Sequence, residues 1–128
     1  MKKHSSPIAP HLQIYKWQIS SLLSITHRIV GVINIVAITI ICFWSIFLLL
    51  GENSYAFLNF FLQSFFGKFI ALSLCWTFSF HILNEIRHLA WDLGYGFDLQ
   101  FSKITGVIAL IGSFIFAILF YLLGKNIF

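Results

Sequence analysis

The sequence predicts an all-α integral membrane protein with three transmembrane helices, and three observations lead to this fold class. The chain of 128 residues is 59% hydrophobic and only 9% charged, whereas a soluble domain carries about a quarter charged residues. Three apolar stretches match the ~20 residues that a helix needs to cross the hydrocarbon core. These stretches are continuously apolar and do not alternate with polar residues, which argues against a β-barrel.

The first two spans differ in their polar content. Residues 29–50 contain no charge and belong to a first helix predicted at about 18–50, which enters through the headgroups. The second helix is predicted at about 56–92 and carries ionisable residues toward its end. Its phenylalanine-rich start, 56–66, either lies in the interface or extends the helix, with Gly67 as the break.

The third helix is predicted at about 103–125, because residues 104–124 are free of charge and lysines bracket them. The whole chain, 1–128, is therefore predicted to be a single membrane-anchor domain with a polar N-terminal arm at 1–17. Cys42 and Cys75 lie in apolar runs without ligand-like spacing, so we expect neither a disulfide nor a metal site there.

The distribution of lysine and arginine predicts the orientation. Most of these residues lie before or within the start of the first helix or near the second loop, and few lie on the other side. The first group is Lys2, Lys3, Lys16, Arg28, Arg87 and Lys103, and the second is Lys68 and Lys125. The positive-inside rule then places the N-terminus in the cytoplasm and the C-terminus on the opposite side. The net charge of +4 is explained by topology, so we expect membrane lipid and no nucleic acid as a partner.

Neither a secretory signal nor an Arg- and Ser-rich transit peptide precedes the first apolar stretch. This favours a bacterial inner-membrane protein over a mitochondrial one.

The first polar set lies at the start of the first helix. Ser24, His27 and Arg28 are spaced by three and four residues, so they share one helical face. One interpretation is that His27 and Arg28 are interfacial anchors that extend to the headgroups. The other is that the three side chains bind a polar ligand.

The second polar set lies near the end of the second helix and shares one face of it. Its members are His81, Asn84, Glu85 and His88, with Asp92 one turn further. His81 is seven residues from His88 and hence ~10 Å deeper, at a rise of ~1.5 Å per residue. Such a histidine either bonds a neighbouring helix or ligates a metal or haem. If it ligates haem, another subunit supplies the second ligand or the iron is five-coordinate.

Both sets resemble the signatures of one family. The segment 24–31, with Ser24, His27 and Arg28, resembles the first signature of the cytochrome b anchor subunit of succinate dehydrogenase, the larger membrane anchor of respiratory complex II. The segment 81–94 resembles the second signature. Residues 7–15 resemble the stretch that precedes the first signature. Glu85 departs from the pattern, which usually has glycine or alanine at that position.

The resemblance implies a role for each residue of the two sets. His81 would be an axial ligand of haem b, and a second membrane anchor subunit would supply the other ligand. His27, Arg28 and His88 would neutralise the haem propionates. Ser24 and Arg28 would line a ubiquinone site. Succinate oxidation would occur in partner subunits, an iron–sulfur subunit with its clusters and a flavoprotein with FAD, so no catalytic residue is assigned to this chain.

Two alternatives to a succinate:quinone oxidoreductase anchor remain open at this point. One is the anchor of a quinol:fumarate reductase, which runs the same chemistry in the opposite direction. The other is a non-catalytic membrane adaptor or transporter subunit whose histidines are structural. Bound haem would argue against the adaptor.

Overall fold

The computed structural model describes residues 17–49 and 51–127, and this part of the chain is helical without any strand. Its four helices are α1 (Ile19–Leu49), α2 (Glu52–Gln63), α3 (Phe65–Asp92) and α4 (Leu99–Ile127). Among them, α1, α3 and α4 are long and apolar enough to cross a membrane. The predicted fold class is therefore confirmed, whereas the orientation of the termini stays a prediction. Nearly all of the N-terminal arm, with its prolines and lysines, lies outside the described residues.

The three long helices contain 31, 28 and 29 residues. At ~1.5 Å per residue they are about 42–47 Å long, roughly one and a half times the ~30 Å hydrocarbon core. Their ends therefore reach into the headgroup region. Ser24 and His88 lie near such ends of α1 and α3, whereas His81 lies two turns, ~10 Å, deeper than His88.

The predicted second helix is divided into α2 and α3, and the division falls at Ser64. The Ser64 hydroxyl accepts a hydrogen bond from the backbone N–H of Gly67 at 3.1 Å and donates to the carbonyl of Phe61 at 2.6 Å. It is thus the N-cap of α3. Gly67 lies in the first turn of α3 rather than at the break. A Cβ atom there would collide with the backbone of Phe61, which explains why glycine is needed.

Small residues allow the long helices to approach each other. Gly106 on α4 lies against the Leu23 side chain of α1, and a Cβ at Gly112 would lie 3.3 Å from the side chain of Leu83. Ala109 and Ala117 are buried on the same face of α4. Large apolar side chains instead point outward from all three helices, as expected where lipid is the solvent.

The turn between α3 and α4 is set by Gly94. The Gly94 N–H bonds to the carbonyl of Trp91 at 2.8 Å, and the Tyr95 N–H bonds to that of Ala90 at 3.0 Å. This pair of bonds is a Schellman motif, whose C′ residue takes a left-handed conformation; Gly94 has φ +86°. The motif ends α3 just after its polar residues and returns the chain toward α4.

Candidate functional site

Arg87 fixes α3 against α4 at the end of the bundle that carries the polar side chains. Its guanidinium donates to Oδ1 of Asn84 at 2.7 Å and to the carbonyl of Ser102 at 3.1 Å. Its Nε donates to the Thr105 hydroxyl at 3.4 Å. Its Cζ also lies 4.9 Å from the ring centroid of Trp91. The guanidinium of Arg87 therefore lies between α3 and α4 and contacts polar groups of both helices.

Three histidines meet between α1 and α3. The ring of His27, on α1, stacks on that of His81 with centroids 4.4 Å apart and an angle of 16° between the planes. It also stacks on the ring of His88, at 5.2 Å and 28°. His81 and His88 are two turns apart on α3, so the imidazole of His27 lies between them. The structure therefore brings together three residues that the sequence assigns to the haem site.

Glu85 joins this cluster. Its Oε1 lies 3.2 Å from Nε2 of His27 and 3.8 Å from Nε2 of His81. One ligand-type atom from each of the three residues lies within 4.8 Å of the other two. The Glu85 side chain is 58% exposed, whereas His27 is 15% and His81 is 32% exposed. The carboxylate thus closes the open side of the histidine cluster.

Gly31 makes room for the deepest histidine. A Cβ atom at Gly31 would lie 3.3 Å from Cε1 of His81 and 3.9 Å from its Nδ1. Nδ1 of His81 is buried and lacks a hydrogen bond within the described part of the chain, whereas Nε2 of His27, also without a hydrogen bond, has the Glu85 carboxylate 3.2 Å away. Buried polar atoms in proteins nearly always have a partner, so Nδ1 of His81 marks a place where a further group belongs.

A groove of about 420 Å³ opens beside the cluster, between the start of α1 and the end of α3. It is lined by hydroxyl groups on one side and by cationic and aromatic groups on the other. Among its lining residues are Ser20, Ser21 and Ser24 from α1 and Arg87, His88 and Trp91 from α3.

The two residues that the sequence assigns to a quinone site have different surroundings. Ser24 is exposed and lines the groove. Arg28 is also exposed but does not line it. No group in residues 17–49 or 51–127 forms an ion pair or hydrogen bond with Arg28. Its guanidinium is therefore available to headgroups, to a ligand or to another subunit.

Two residues of this region were missed from the sequence. In the sequence Arg87 contributes only to the predicted orientation, because sequence spacing does not show its partners on α4. Asn34, which is 5% exposed, donates from Nδ2 to the carbonyl of Thr77 on α3 at 3.4 Å. The sequence does contain one indication of the role of Asn34, because this amide lies seven residues after His27 on the same face of an otherwise apolar stretch.

Three membrane-length helices with imidazole and carboxylate groups gathered between two of them define a class. It is that of small helical membrane subunits whose polar groups face a cofactor or a partner rather than lipid. Residues 2–120 match the family described as the succinate dehydrogenase/fumarate reductase transmembrane subunit.

Individual relatives agree with this match. The chain is 39% identical to the succinate dehydrogenase cytochrome b556 subunit of Rickettsia felis over 115 residues, 90% of each chain. It is 38% identical over 125 residues to the cytochrome b560 subunit of Reclinomonas americana, covering 91% of this chain and 85% of that one. For the b556 subunit of Paracoccus denitrificans the identity is 27% over 119 residues, covering 93% and 92%.

The chain therefore belongs to the family of transmembrane subunits of succinate dehydrogenase and fumarate reductase. The resemblance noted in its two polar sets is confirmed. It is a multi-pass membrane protein and a subunit of a complex with other chains.

Proposed function

We propose that this chain is the haem b-binding anchor of a succinate:ubiquinone oxidoreductase and takes part in passing electrons from an iron–sulfur subunit to ubiquinone. The observation that carries the proposal is the stack of His27 and His81 inside the α1–α3 interface, together with the buried Nδ1 of His81, which has no hydrogen-bond partner among the described residues. The cytochrome names of the relatives support the same cofactor. When bound, haem supplies one-electron chemistry.

His81 is the proposed axial ligand. It is the deepest histidine of the cluster, and the ring fits against Gly31, where any side chain would intrude. A neutral imidazole is the commonest protein ligand for iron. The other histidines of the cluster lie nearer the helix ends, so the second axial ligand is assigned to a second anchor subunit. Glu85 has to move from Nε2 of His81 before that atom can bind a metal, and its exposure leaves room for that movement.

His27, His88 and Arg28 are proposed to neutralise the haem propionates. His27 and His88 stack on each other near the end of the bundle. Nδ1 of His88 lies 2.8 Å from the carbonyl oxygen of Asn84, and this contact orients the His88 ring. Because a carbonyl only accepts, Nδ1 carries the proton and Nε2 is left to face the ligand.

Ser24 and Arg28 are proposed to bind the ubiquinone head group. Reduction places negative charge on the quinone oxygens, and a fixed cation with a nearby hydroxyl donor favours that charge. Ser24 lines the groove of about 420 Å³, a volume within the range of small-ligand pockets. The exposed guanidinium of Arg28, which has no ion-pair partner among the described residues, supplies the positive charge from one turn further along α1.

The complete enzyme is proposed to contain three further chains: the second anchor, the iron–sulfur subunit with its clusters, and the flavoprotein with FAD. The proposed location is the bacterial inner membrane, with the N-terminus on the cytoplasmic side where the soluble subunits dock. Succinate chemistry is assigned to those subunits.

The test is a reduced-minus-oxidised optical spectrum of the complex, purified through a tag on this chain. Wild type is compared with His81→Ala and with the control Ser73→Ala, which removes a hydroxyl that bonds the carbonyl of Phe69 within α3. We expect a low-spin b-type spectrum in wild type, its loss or conversion in His81→Ala, and its retention in Ser73→Ala. An unchanged spectrum in His81→Ala would reject His81 as a ligand.

The same experiment decides between the functions. A wild-type complex without haem would favour a non-catalytic adaptor with structural histidines. The fumarate reductase alternative is tested separately, by comparing succinate oxidation with ubiquinone against fumarate reduction with a low-potential quinol. Faster fumarate reduction would overturn the proposed direction.

A further inference from the structure

Asn34 is a buried amide in the middle of α1, one turn beyond Gly31. It is 5% exposed, and its Nδ2 donates to the carbonyl of Thr77 on α3. Because a carbonyl can only accept, the NH₂ end of the amide must face Thr77. The oxygen, Oδ1, therefore faces elsewhere in the α1–α3 interface.

This Oδ1 and Nδ1 of His81 are both buried without a hydrogen-bond partner in the described residues. They lie on facing helices at neighbouring levels. A Cβ built on Gly31, three residues before Asn34, would lie 3.9 Å from Nδ1 of His81. Thr77, which holds the amide, lies one turn before His81 on α3. Oδ1 of Asn34 can only accept a hydrogen bond. Nδ1 of His81 donates one when it carries the imidazole proton.

We infer that Asn34 is a positioning residue for His81: its Oδ1 accepts the Nδ1 proton of the imidazole, directly or through one internal water. Internal waters commonly link such pairs of buried polar atoms. The bond holds the proton on Nδ1 and leaves the lone pair of Nε2 for a metal. It also fixes the rotation of the ring. The inference rests on the proposed role of His81 as a haem ligand.

The chemistry predicts a measurable effect on the haem. A hydrogen bond from the distal nitrogen of a ligating histidine makes the imidazole a stronger donor, and such outer partners affect metal affinity by about 10- to 100-fold. A stronger donor favours ferric over ferrous iron. Removing the acceptor is therefore expected to raise the midpoint potential. A tenfold change in relative affinity corresponds to about 59 mV for a one-electron couple.

The test compares three variants in the purified complex. Asn34→Leu removes both polar atoms at similar size, whereas Asn34→Asp retains an acceptor and, as a buried neutral acid, a donor for Thr77. Ser113→Ala is the matched control, since Ser113 is fully buried on α4 and bonds only within its own helix, to the carbonyl of Leu110 at 2.7 Å. The readouts are haem per complex, the midpoint potential and the EPR g-values of the ferric haem.

We expect Asn34→Leu to raise the potential by about 59 mV, the equivalent of a tenfold change, and to shift the g-values. Asn34→Asp keeps the hydrogen-bond acceptor, so its midpoint potential is not expected to rise. Ser113→Ala is expected to have the wild-type potential and g-values. A haem with wild-type potential and g-values in Asn34→Leu would overturn the inference while leaving His81 as a ligand. If the leucine variant does not assemble, Asn34→Ala is measured in the same way, since it removes the acceptor without adding bulk.

Failure of both variants to assemble, with Ser113→Ala intact, would make Asn34 a packing residue and reject the inference. The proposed function fails by a different result, namely a wild-type complex without haem or a His81→Ala variant with an unchanged spectrum. Either of those would remove both proposals together.

Discussion

Replacing Arg87 by leucine tests how α3, which carries His81 and His88, is held against α4. Arg87 makes two hydrogen bonds between α3 and α4, to Ser102 and Thr105, and one within α3, to Asn84. Side-chain hydrogen bonds between transmembrane helices average about 0.6 kcal/mol, so the two interhelical bonds contribute about 1 kcal/mol. Oδ1 of Asn84, which is 1% exposed, would also lose this donor, at a further cost of about 1–3 kcal/mol.

The expected loss in Arg87→Leu is therefore about 2–4 kcal/mol of unfolding free energy. It is measured by denaturant or thermal unfolding of the purified complex in detergent. Lys103→Leu is the control, because it removes a charge from the same end of α4 at an exposed position and is expected to change stability by no more than about 0.5 kcal/mol. Equal stability of Arg87→Leu and Lys103→Leu would refute the reasoning, and packing of small residues alone would then hold α3 against α4.

Three further substitutions test the site. Gly31→Val should reduce the haem content of the complex, because even a Cβ at Gly31 would lie 3.3 Å from Cε1 of His81 and overpacking costs about 1–3 kcal/mol. The control is Gly124→Val, since a side chain at Gly124 has open space around it. Equal haem content in both variants would contradict the expectation. Arg28→Leu should lower quinone reduction by on the order of 10²-fold while succinate oxidation by a soluble acceptor persists; equal loss in both assays would instead make Arg28 an assembly residue. Glu85→Ala should leave the haem-to-protein ratio unchanged, and a loss of haem in this variant would show that the carboxylate is needed for binding.

The fold class was predictable because the bilayer imposes it on composition and segment length. A chain with 9% charged residues and three long apolar stretches has few alternatives to a helical membrane protein. The division at Ser64 was not predictable in the same way. Both sides of it are apolar and aromatic, so only the cap contacts of one hydroxyl decide where α2 ends and α3 begins.

The site was predictable only where its residues share a helical face. The periodicity of His81, Glu85 and His88 on one helix and of Ser24 and His27 on the other could be read directly from the sequence. The contacts across helices could not, because they depend on how the faces meet. Asn34 is the clearest case, since its amide has meaning only through the carbonyl of Thr77 and the nearby ring of His81.

Glu85 is the position at which the family pattern and this chain diverge, and the geometry decides what kind of divergence it is. A small residue would leave Nε2 of His81 open, whereas here a carboxylate lies 3.8 Å from it and 3.2 Å from Nε2 of His27. The side chain is 58% exposed and attached one turn away, so rotation about its own bonds clears the nitrogen without moving a helix. The size of the Glu85 side chain is therefore not what distinguishes this site from the family pattern. The difference is electrostatic, because the chain carries an acidic group within 4 Å of a nitrogen of each of two imidazoles.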